Sequence, residues 1–300
     1  MSTFYKIKPF DTLFFRGSIP MEAGQYNADS MFPPPVSVIK GALWTAFCQG
    51  NCQNNYSEKL MDGKFPFDIT AVLIEKGDYV YAPAPATWYY DSDTKVKRGK
   101  DFKGKELCIA EVKNDLDVFS VQSSSFDDKI FFATPKIDAK PLTNYWVSLD
   151  FLSNPKKTFG DLDILAPDDI YSRENRTGNG LSPEKVAKDG NLYTAIHLRF
   201  LADISILVAI EGDIDFGNGK IMLGGEQRIA SYVKYTKKIK LPEIKDVFFS
   251  LIPLEATEDN LNKLIASGKL FITAGWDLSV GFHKSSKTWI PAGAVFQINI

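Results

Sequence analysis

Histidine and cysteine are scarce in this chain, which narrows the chemistry that it can perform. The 300 residues include 2 histidines and 3 cysteines. The cysteines, Cys48, Cys52 and Cys108, form no CxxC pair, so the sequence indicates neither a disulfide framework nor a zinc site. Two histidines are too few for a histidine-rich metal centre. We therefore expect no metal site and no cofactor.

Long apolar runs and an excess of charge of one sign are also missing. No run approaches the 18 or so residues that a membrane-spanning helix needs, and the first ten residues lack the apolar core of a signal peptide. We expect a cytoplasmic protein with no membrane partner. Lysine and arginine together number 35 against 37 acids, a formal net charge of -2. A nucleic-acid role must therefore rest on a local basic surface.

The most distinctive stretch is LGGEQRIASYVKY, residues 223–235. Gly224 and Gly225 precede an acid, an amide and Arg228, and an alternating, strand-like run follows. Glycine permits positive φ and close backbone approach, and the planar fork of arginine suits phosphate. The stretch lacks the lysine and hydroxyl of a P-loop, and no GxGxxG pattern is present, which disfavours nucleotide hydrolysis. It predicts a loop that contacts an anion.

Hydrophobic periodicity predicts an α+β fold. A helix is expected over Val36–Gln49 with Gly50 as its stop, and another after the N-cap Thr257 with Gly268 as its stop. Strands are predicted at 3–8, 69–75, 79–82, 193–211, 229–235, 247–254, 270–277 and 294–300. Two similar halves with antiparallel sheets, each backed by a helix, favour two ferredoxin-like (RRM-like, βαββαβ) domains with long loop insertions.

The predicted domains are 1–150 and 151–300, with the boundary left open. The second domain begins with a polar, proline-punctuated loop at about 153–191, which carries Arg173 and Arg176. In the first domain, Trp88 and two tyrosines precede a lysine-rich segment. That segment is either a stacking surface for single-stranded nucleic acid or an ordinary solvated hairpin tip.

The remaining cations and histidines have both structural and functional interpretations. Lys40 and Trp44 lie one turn apart and are expected to decorate an edge of the first helix. His197 falls inside an apolar strand, which favours a packed or hydrogen-bonded residue. His283 sits in VGFHKSSK and is the candidate for a metal-free ribonuclease; a phosphate contact or a structural role is the alternative.

Four motifs, in register over nearly the whole chain, resemble one family. They are DTLFFRGSIP, FPPPVSVIKGAL, LGGEQRIASY and TAGWDLSVGFHKSSKTWIPAGAVF, supported by YSRENRTGNG and DGNLYTAIHLRF between them. They resemble the RAMP subunit-three family of type III-B (Cmr) CRISPR effector complexes. The resemblance implies two facing ferredoxin-like domains, and a subunit that grips the 5′ tag of the guide RNA (crRNA) and docks on the large palm-domain subunit. It also implies contacts with other RAMP subunits, antiviral defence as the purpose, and no enzymatic activity in this subunit.

The resemblance also assigns roles to particular residues. The predicted RNA-binding residues are Arg16, Lys40, Gly224, Gly225, Arg228, Lys284 and Lys287. Trp88, Arg173 and Arg176 are assigned to RNA or to a partner, and Glu226 to positioning Arg228 or to a base edge. Two other functions stay open: a metal-independent RAMP endoribonuclease for precursor RNA, resting on His283, and a purely structural adaptor.

Overall fold

The computed structural model confirms the α+β class, with mostly antiparallel strands and few helices. It describes residues 2–17, 27–51, 65–91, 96–113, 131–133, 138–181, 187–242, 247–274, 276–277, 282–283 and 285–298. Among these residues, no helix is long and apolar enough to cross a membrane.

Most of the regular structure in the described residues consists of short strands, with a few helices between them. The strands are β1 (Thr3–Pro9), β2 (Asn27–Ala28), β3 (Asp68–Lys76), β4 (Tyr79–Pro83), β5 (Trp88–Asp91), β6 (Leu107–Ile109), β7 (Glu111–Lys113), β8 (Phe131–Ala133), β9 (Ala139–Pro141), β10 (Trp146–Ser148), β11 (Ile164–Leu165), β12 (Tyr171–Leu181), β13 (Ala187–Phe200), β14 (Ile204–Glu211), β15 (Gly219–Met222), β16 (Ile229–Lys234), β17 (Val247–Phe249), β18 (Leu254–Glu255), β19 (Leu264–Ala266), β20 (Phe271–Thr273), β21 (Trp276–Asp277), β22 (Phe282–His283), β23 (Lys287–Ile290) and β24 (Val295–Gln297). The α-helices are α1 (Val36–Asn51), α2 (Leu149–Ser153) and α3 (Glu258–Lys263), and short 3₁₀ helices span Gly99–Phe102 and Pro167–Asp169.

The chain divides into two compact units, each gathered from three segments. Unit 1 comprises Met1–Asp78, Ile170–Lys238 and Ile272–Thr288, and unit 2 comprises Tyr79–Asp169, Ile239–Phe271 and Trp289–Ile300. These units differ from the contiguous halves 1–150 and 151–300, which stay a prediction.

The main sheet of unit 1 has the strand order β3-β14-β1-β16-β15, and every neighbouring pair is antiparallel. Strand β14, between β3 and β1, is apolar at almost every position and buried from Ile204 to Ile210, as expected of a strand covered on both faces. Helix α1 contacts β3 and β15, and its stripe buries Ile39 and Leu43. This sheet positions the glycine-rich stretch at its β15–β16 end.

A long hairpin of β12 and β13 forms the second sheet of unit 1, with the short β2 parallel to β13. The predicted loop at 153–191 is therefore wrong over its second half, because Arg173 and Arg176 lie on a regular strand. The polar sequence of this segment has little of the alternation that identifies strands. Pairing with the neighbouring strand stabilises its extended structure. The single strand predicted at 193–211 is two strands, β13 and β14, separated by the turn at Ala202–Asp203.

Unit 2 has an aromatic interior that includes Trp88. Its ring contacts Phe151 at 6.1 Å, and Phe151 stacks on Phe159 at 5.1 Å. The side chain of Trp88 is only 3% exposed, which leaves too little surface for a base to stack on. The candidate RNA or partner contact at Trp88 is therefore corrected to a core residue.

Both predicted helices exist, but their ends differ from the prediction. Helix α1 continues through Gly50 to Asn51, and Trp44 is buried instead of decorating its edge. Thr257 caps α3 as predicted, since its hydroxyl accepts a hydrogen bond from the backbone N–H of Asn260 at 3.2 Å. The helix then ends at Lys263, because Leu264–Ala266 pairs with β24 as β19.

Candidate functional site

The glycine-rich stretch forms a tight turn between β15 and β16. The N–H of Leu223 donates to the carbonyl of Arg228 at 2.7 Å and closes the turn. Gly224 has φ 83°, and a Cβ there would lie 2.5 Å from the carbonyl oxygen of Phe14. The N–H of Gly225 donates to that same carbonyl at 2.8 Å. The close approach that these glycines permit is thus to the protein's own segment at Phe14.

The tip of the turn holds two non-glycine residues in the left-handed region. Glu226 has φ 57° and Gln227 has φ 53°, a conformation that costs roughly 1–2 kcal/mol per residue. The carboxylate of Glu226 accepts a hydrogen bond from Nη2 of Arg228 at 2.8 Å. This contact restrains the strained tip and holds the carboxylate of Glu226 against the guanidinium of Arg228.

Three arginines from three separate strands or strand ends converge on Asp11. Its carboxylate lies 3.0 Å from Nη1 of Arg228, 3.2 Å from Nη2 of Arg199 and 3.5 Å from Nη2 of Arg176. Asp11 follows β1, Arg176 and Arg199 belong to β12 and β13, and Arg228 directly precedes β16. The converging guanidinium groups create a dense set of N–H donors at one exposed carboxylate.

Glu174 links two of these arginines from the side of the β12–β13 hairpin. Its carboxylate accepts from Nε of Arg199 at 2.6 Å and from Nε of Arg176 at 3.0 Å. These hydrogen bonds lower the pKa of Glu174. The pKa of Asp11 is also lowered, first by a hydrogen bond from the backbone of Thr12 and then by the nearby arginines. Both carboxylates are therefore ionised at neutral pH.

His197 lies beneath the turn and is fully buried. Its ring stacks on Phe14 at 5.1 Å, and Nδ1 lies 3.1 Å from the hydroxyl of Thr12. Nε2 lies 3.2 Å from Oε2 of Glu226 but forms no aligned hydrogen bond with it. Burial lowers the pKa of His197, although Glu226 opposes the shift. His197 is thus packed and hydrogen-bonded, as its apolar strand predicted, and its lowered pKa favours the neutral imidazole.

We call Asp11, Glu174, Arg176, His197, Arg199, Glu226 and Arg228 the arginine network. Its three guanidinium groups balance its three carboxylates. Burial would raise the pKa of Glu226, but the interactions with Arg228 and His197 together outweigh it and lower the pKa. Guanidinium forks of this kind bind carboxylate and phosphate with the same geometry. The network can therefore accept a phosphate by exchange with its own carboxylates.

The structure brings some of the predicted RNA-binding residues together and separates others. Gly224, Gly225, Arg228 and Arg176 meet at the arginine network. Arg173 pairs with Asp29 at 3.3 Å, and the exposed Arg16 forms a backbone bridge with Ser30 in the same segment.

Three predicted cations stand apart from the network. Lys40 belongs to the same unit as the turn, and its ammonium pairs with Asp68 at 2.6 Å and lies over the ring of Phe65. Lys287 is exposed at the start of β23. Lys284 lies outside the described residues, as does the side chain of His283.

Asp11, Glu174 and Arg199 are functional candidates that sequence reasoning missed. The signal for Glu174 and Arg176 was present, because residues two apart share one face of a strand. Asp11 and Arg199 join them only through long-range pairing. Among the described parts of the chain, no group of three or more histidine, cysteine or acidic side chains is placed to hold a metal ion.

Comparisons with known proteins agree with this architecture. A family model described as CRISPR-associated protein (Cas_Cmr3) matches residues 5–265. A subunit in a cryo-EM structure of the Type III-B Cmr-beta bound to cognate target RNA and AMPPnP is 19% identical with a TM-score of 0.60; the match covers 98% of this chain and 86% of that one. A second such structure, bound to cognate target RNA, is 18% identical with a TM-score of 0.59 and the same coverage.

At these identities the two structures establish similarity of fold. A search of curated proteins found no match to the chain. The family match confirms the resemblance carried by the four sequence motifs, and the chain belongs to the CRISPR-associated Cas_Cmr3 family.

Proposed function

We propose that this chain is a non-catalytic, RNA-binding subunit of a type III-B RNA-guided effector complex in antiviral defence. It holds the single-stranded 5′ tag of the guide RNA, docks on the large palm-domain subunit and adjoins other RAMP subunits. The observation that carries the proposal is the convergence of Arg176, Arg199 and Arg228 on the exposed Asp11. Membership of the Cas_Cmr3 family supports the proposal that this site belongs to a subunit of a CRISPR effector complex.

Binding at the arginine network proceeds by exchange of anions. Asp11 holds the guanidinium groups at the spacing that a phosphate needs, so their side chains are already ordered before RNA arrives. A phosphate that displaces the carboxylate keeps two or three charge-assisted hydrogen bonds. Because the network is electrically balanced, it strengthens RNA binding only at short range and adds little long-range electrostatic steering of the RNA.

The proposal includes the two ferredoxin-like domains that the sequence predicts. Support in unit 1 comes from the arrangement of β1, α1, β3, β14 and β16. Strand β1 lies between β14 and β16, and β3 lies on the other side of β14. All of these neighbouring pairs are antiparallel. A βαββαβ unit has this order, with α1 as its first helix. The β15 strand and the glycine turn occupy the position of its second crossover.

The absence of catalysis in this subunit is part of the proposal. In the arginine network the one imidazole is buried and the carboxylates are committed to arginines. A ribonuclease resting on His283 is the competing function. Incubation of the purified chain with repeat RNA in EDTA separates the two: we expect intact RNA, and site-specific cleavage that is lost in His283→Ala overturns the proposal.

Substitution of the network arginines tests RNA binding. We expect Arg199→Ala and Arg228→Ala to lower guide-RNA retention in the purified complex by about tenfold, because each removes charge-assisted hydrogen bonds. Lys237→Ala is the control, since Lys237 is an exposed base of the same unit that pairs with Asp78 at 3.2 Å. The measurement is the ratio of guide RNA to subunits in the complex.

A structural adaptor is the second candidate, and the electrical balance of the network favours it. An adaptor predicts that the arginine variants lose stability or subunits while the assembled complexes keep a full complement of guide RNA. Normal RNA retention in correctly folded Arg199→Ala therefore contradicts tag binding at this site.

A further inference from the structure

One face of the unit 1 sheet is left open at its β1–β16–β15 end. The pairing registers place three rows of side chains on this face. The first row is apolar and runs across the strands as Phe10, Ile229 and Met222, which are 62%, 47% and 54% exposed. The N–H of Phe10 donates to the carbonyl of Ile229 at 3.1 Å, which extends the register by one residue beyond β1.

The second and third rows carry basic and small side chains. The second row is Lys8, Ser231 and Lys220, and the third begins with Lys6 and the exposed Val233. The opposite face of the same strands is buried through Ile221, Ala230 and Tyr232 and needs no further cover. We call the exposed set Phe10, Ile229, Met222, Lys8, Lys220 and Val233 the open face.

The charge of the open face is uncompensated at two positions. Lys6 is neutralised by an ion pair with Glu75. Among the described residues, Lys8 and Lys220 have no carboxylate partner, and the ammonium of Lys220 lies 5.6 Å from the ring centroid of Phe10. The β1, β15 and β16 positions of this face include no acid. The open face therefore combines an apolar row with a positive border.

This combination favours a protein partner over RNA. Three of its four apolar side chains are aliphatic, so they provide no ring on which a base stacks and no hydrogen bond for a base edge. Exposed aliphatic and aromatic side chains in a contiguous patch are the usual core of a protein interface, with charge at the rim. To complement Lys8 and Lys220, the partner protein needs carboxylates around its own apolar surface.

A second copy of this chain fits the open face poorly. In a twofold dimer this surface would meet itself, which brings the Lys8 and Lys220 side chains of both copies into one interface. Like charges placed in this way oppose association. A partner that carries acids opposite these lysines avoids this repulsion.

We infer that the open face docks another protein subunit of the complex, through a partner surface that is apolar at its centre and acidic at its border. The inference rests on the proposed function only in taking the chain to be one subunit of a larger complex. It concerns a surface different from the arginine network. The apolar row anchors the contact, and Lys8 and Lys220 select the acidic border.

Two charge substitutions in the apolar row test the docking. We expect Met222→Asp with Ile229→Asp to reduce the amount of one protein subunit in the co-expressed complex by roughly tenfold. Native mass spectrometry gives the stoichiometry. Ile272→Asp is the matched control, because Ile272 is an exposed isoleucine on a strand of the same unit, 51% exposed. Circular dichroism of the purified chain verifies that both variants fold.

A photo-crosslinking residue at position 222 identifies the occupant directly. We expect a crosslink to one protein subunit, in a peptide that carries acidic residues. Unchanged stoichiometry in the double variant, or a crosslink to RNA or to a second copy of this chain, overturns the inference. These outcomes are separate from those of the arginine variants. The arginine variants are measured by the RNA content of the complex, and the number of protein subunits is their control.

Discussion

The arginine network and the open face adjoin at the start of β16, where Arg228 precedes Ile229, but they treat charge in opposite ways. In the network every guanidinium is matched by a carboxylate of the chain, so the site is ordered and electrically balanced. On the open face Lys8 and Lys220 have no matched acid among the described residues, and they border exposed apolar side chains. The first arrangement suits exchange of one anion for another. The second suits burial against a complementary surface.

The comparison shows why basic residue counts predict function poorly in this chain. Lys40 and Arg228 were equivalent as cations in the sequence, yet Lys40 is held by Asp68 beside aromatic rings, while Arg228 is one of three arginines around Asp11. What distinguishes them is the set of neighbours from distant segments. A surface cation contributes to recognition when its charge is free or when its partner can be exchanged.

The largest effect is expected at the turn that supports the network. In Gly224→Ala the new Cβ meets the carbonyl oxygen of Phe14 at 2.5 Å, and the backbone keeps φ 83°. We expect a loss of about 3 kcal/mol in the free energy of unfolding, measured by urea titration. Gly217→Ala is the control: φ is 65° there with open space around it, so about 1 kcal/mol is expected. Equal losses in the two variants contradict the steric explanation.

Removal of one network carboxylate tests the exchange of anions. Glu226→Gln keeps the size of the side chain but removes one of the two carboxylates paired with Arg228, which makes the network net positive. We expect tag RNA to bind the purified chain about threefold more tightly, with a steeper dependence on salt. Glu211→Gln, at the exposed end of β14, is the control for net charge. Weaker binding in Glu226→Gln shows that Glu226 contacts the RNA instead of competing with it.

A smaller effect is expected from pH. Burial lowers the pKa of His197, so below about pH 6.5 the unfolded chain takes up a proton that the folded chain resists. Stability should therefore fall as the pH is lowered from 7 to 5.5, and thermal denaturation measures it. His197→Gln should flatten this dependence, while His283→Gln should leave His197's share of it intact. A wild-type melting temperature that rises over this interval is inconsistent with a neutral, buried His197.

The smallest effect is expected on the open face. Lys220 lies over Phe10 at the surface, and exposed cation–π pairs of this kind contribute about 0.5–1 kcal/mol. Lys220→Ala should therefore change the free energy of unfolding of the isolated chain by less than about 1 kcal/mol. A much larger loss in urea titration indicates that the face supports the fold itself, which weakens its assignment as a docking surface.

Local patterns predicted local structure well. The apolar stripe of Val36–Gln49 identified α1, Thr257 was correctly predicted as an N-cap, and a strand was correctly predicted to begin after Arg228. These features depend on neighbours within a few residues, where periodicity and capping chemistry are informative. The stops predicted at Gly50 and Gly268 failed, because α1 continues beyond one glycine and strand pairing ends α3 before the other.

Features that depend on distant partners were out of reach. Strand β12 is polar and has no buried side chain over residues 171–178, so the sequence does not identify it, and backbone pairing with β13 stabilises it. Trp88 sits beside lysines in the sequence but packs on Phe151, 63 positions later. Aromatic composition alone does not distinguish a core ring from an exposed one.

The sequence by itself determined the family, through four motifs in register, and the α+β class, through alternating and helical periods. It also singled out residues 223–235, whose glycines and arginine are unusual together. Only the tertiary structure decided that these glycines approach Phe14, that Asp11 and Arg199 complete the site, and that Phe10, Ile229 and Met222 line up across three strands. Periodicity is a property of neighbours in the chain, whereas charge neutralisation and side-chain rows depend on the register between strands that are far apart in the sequence.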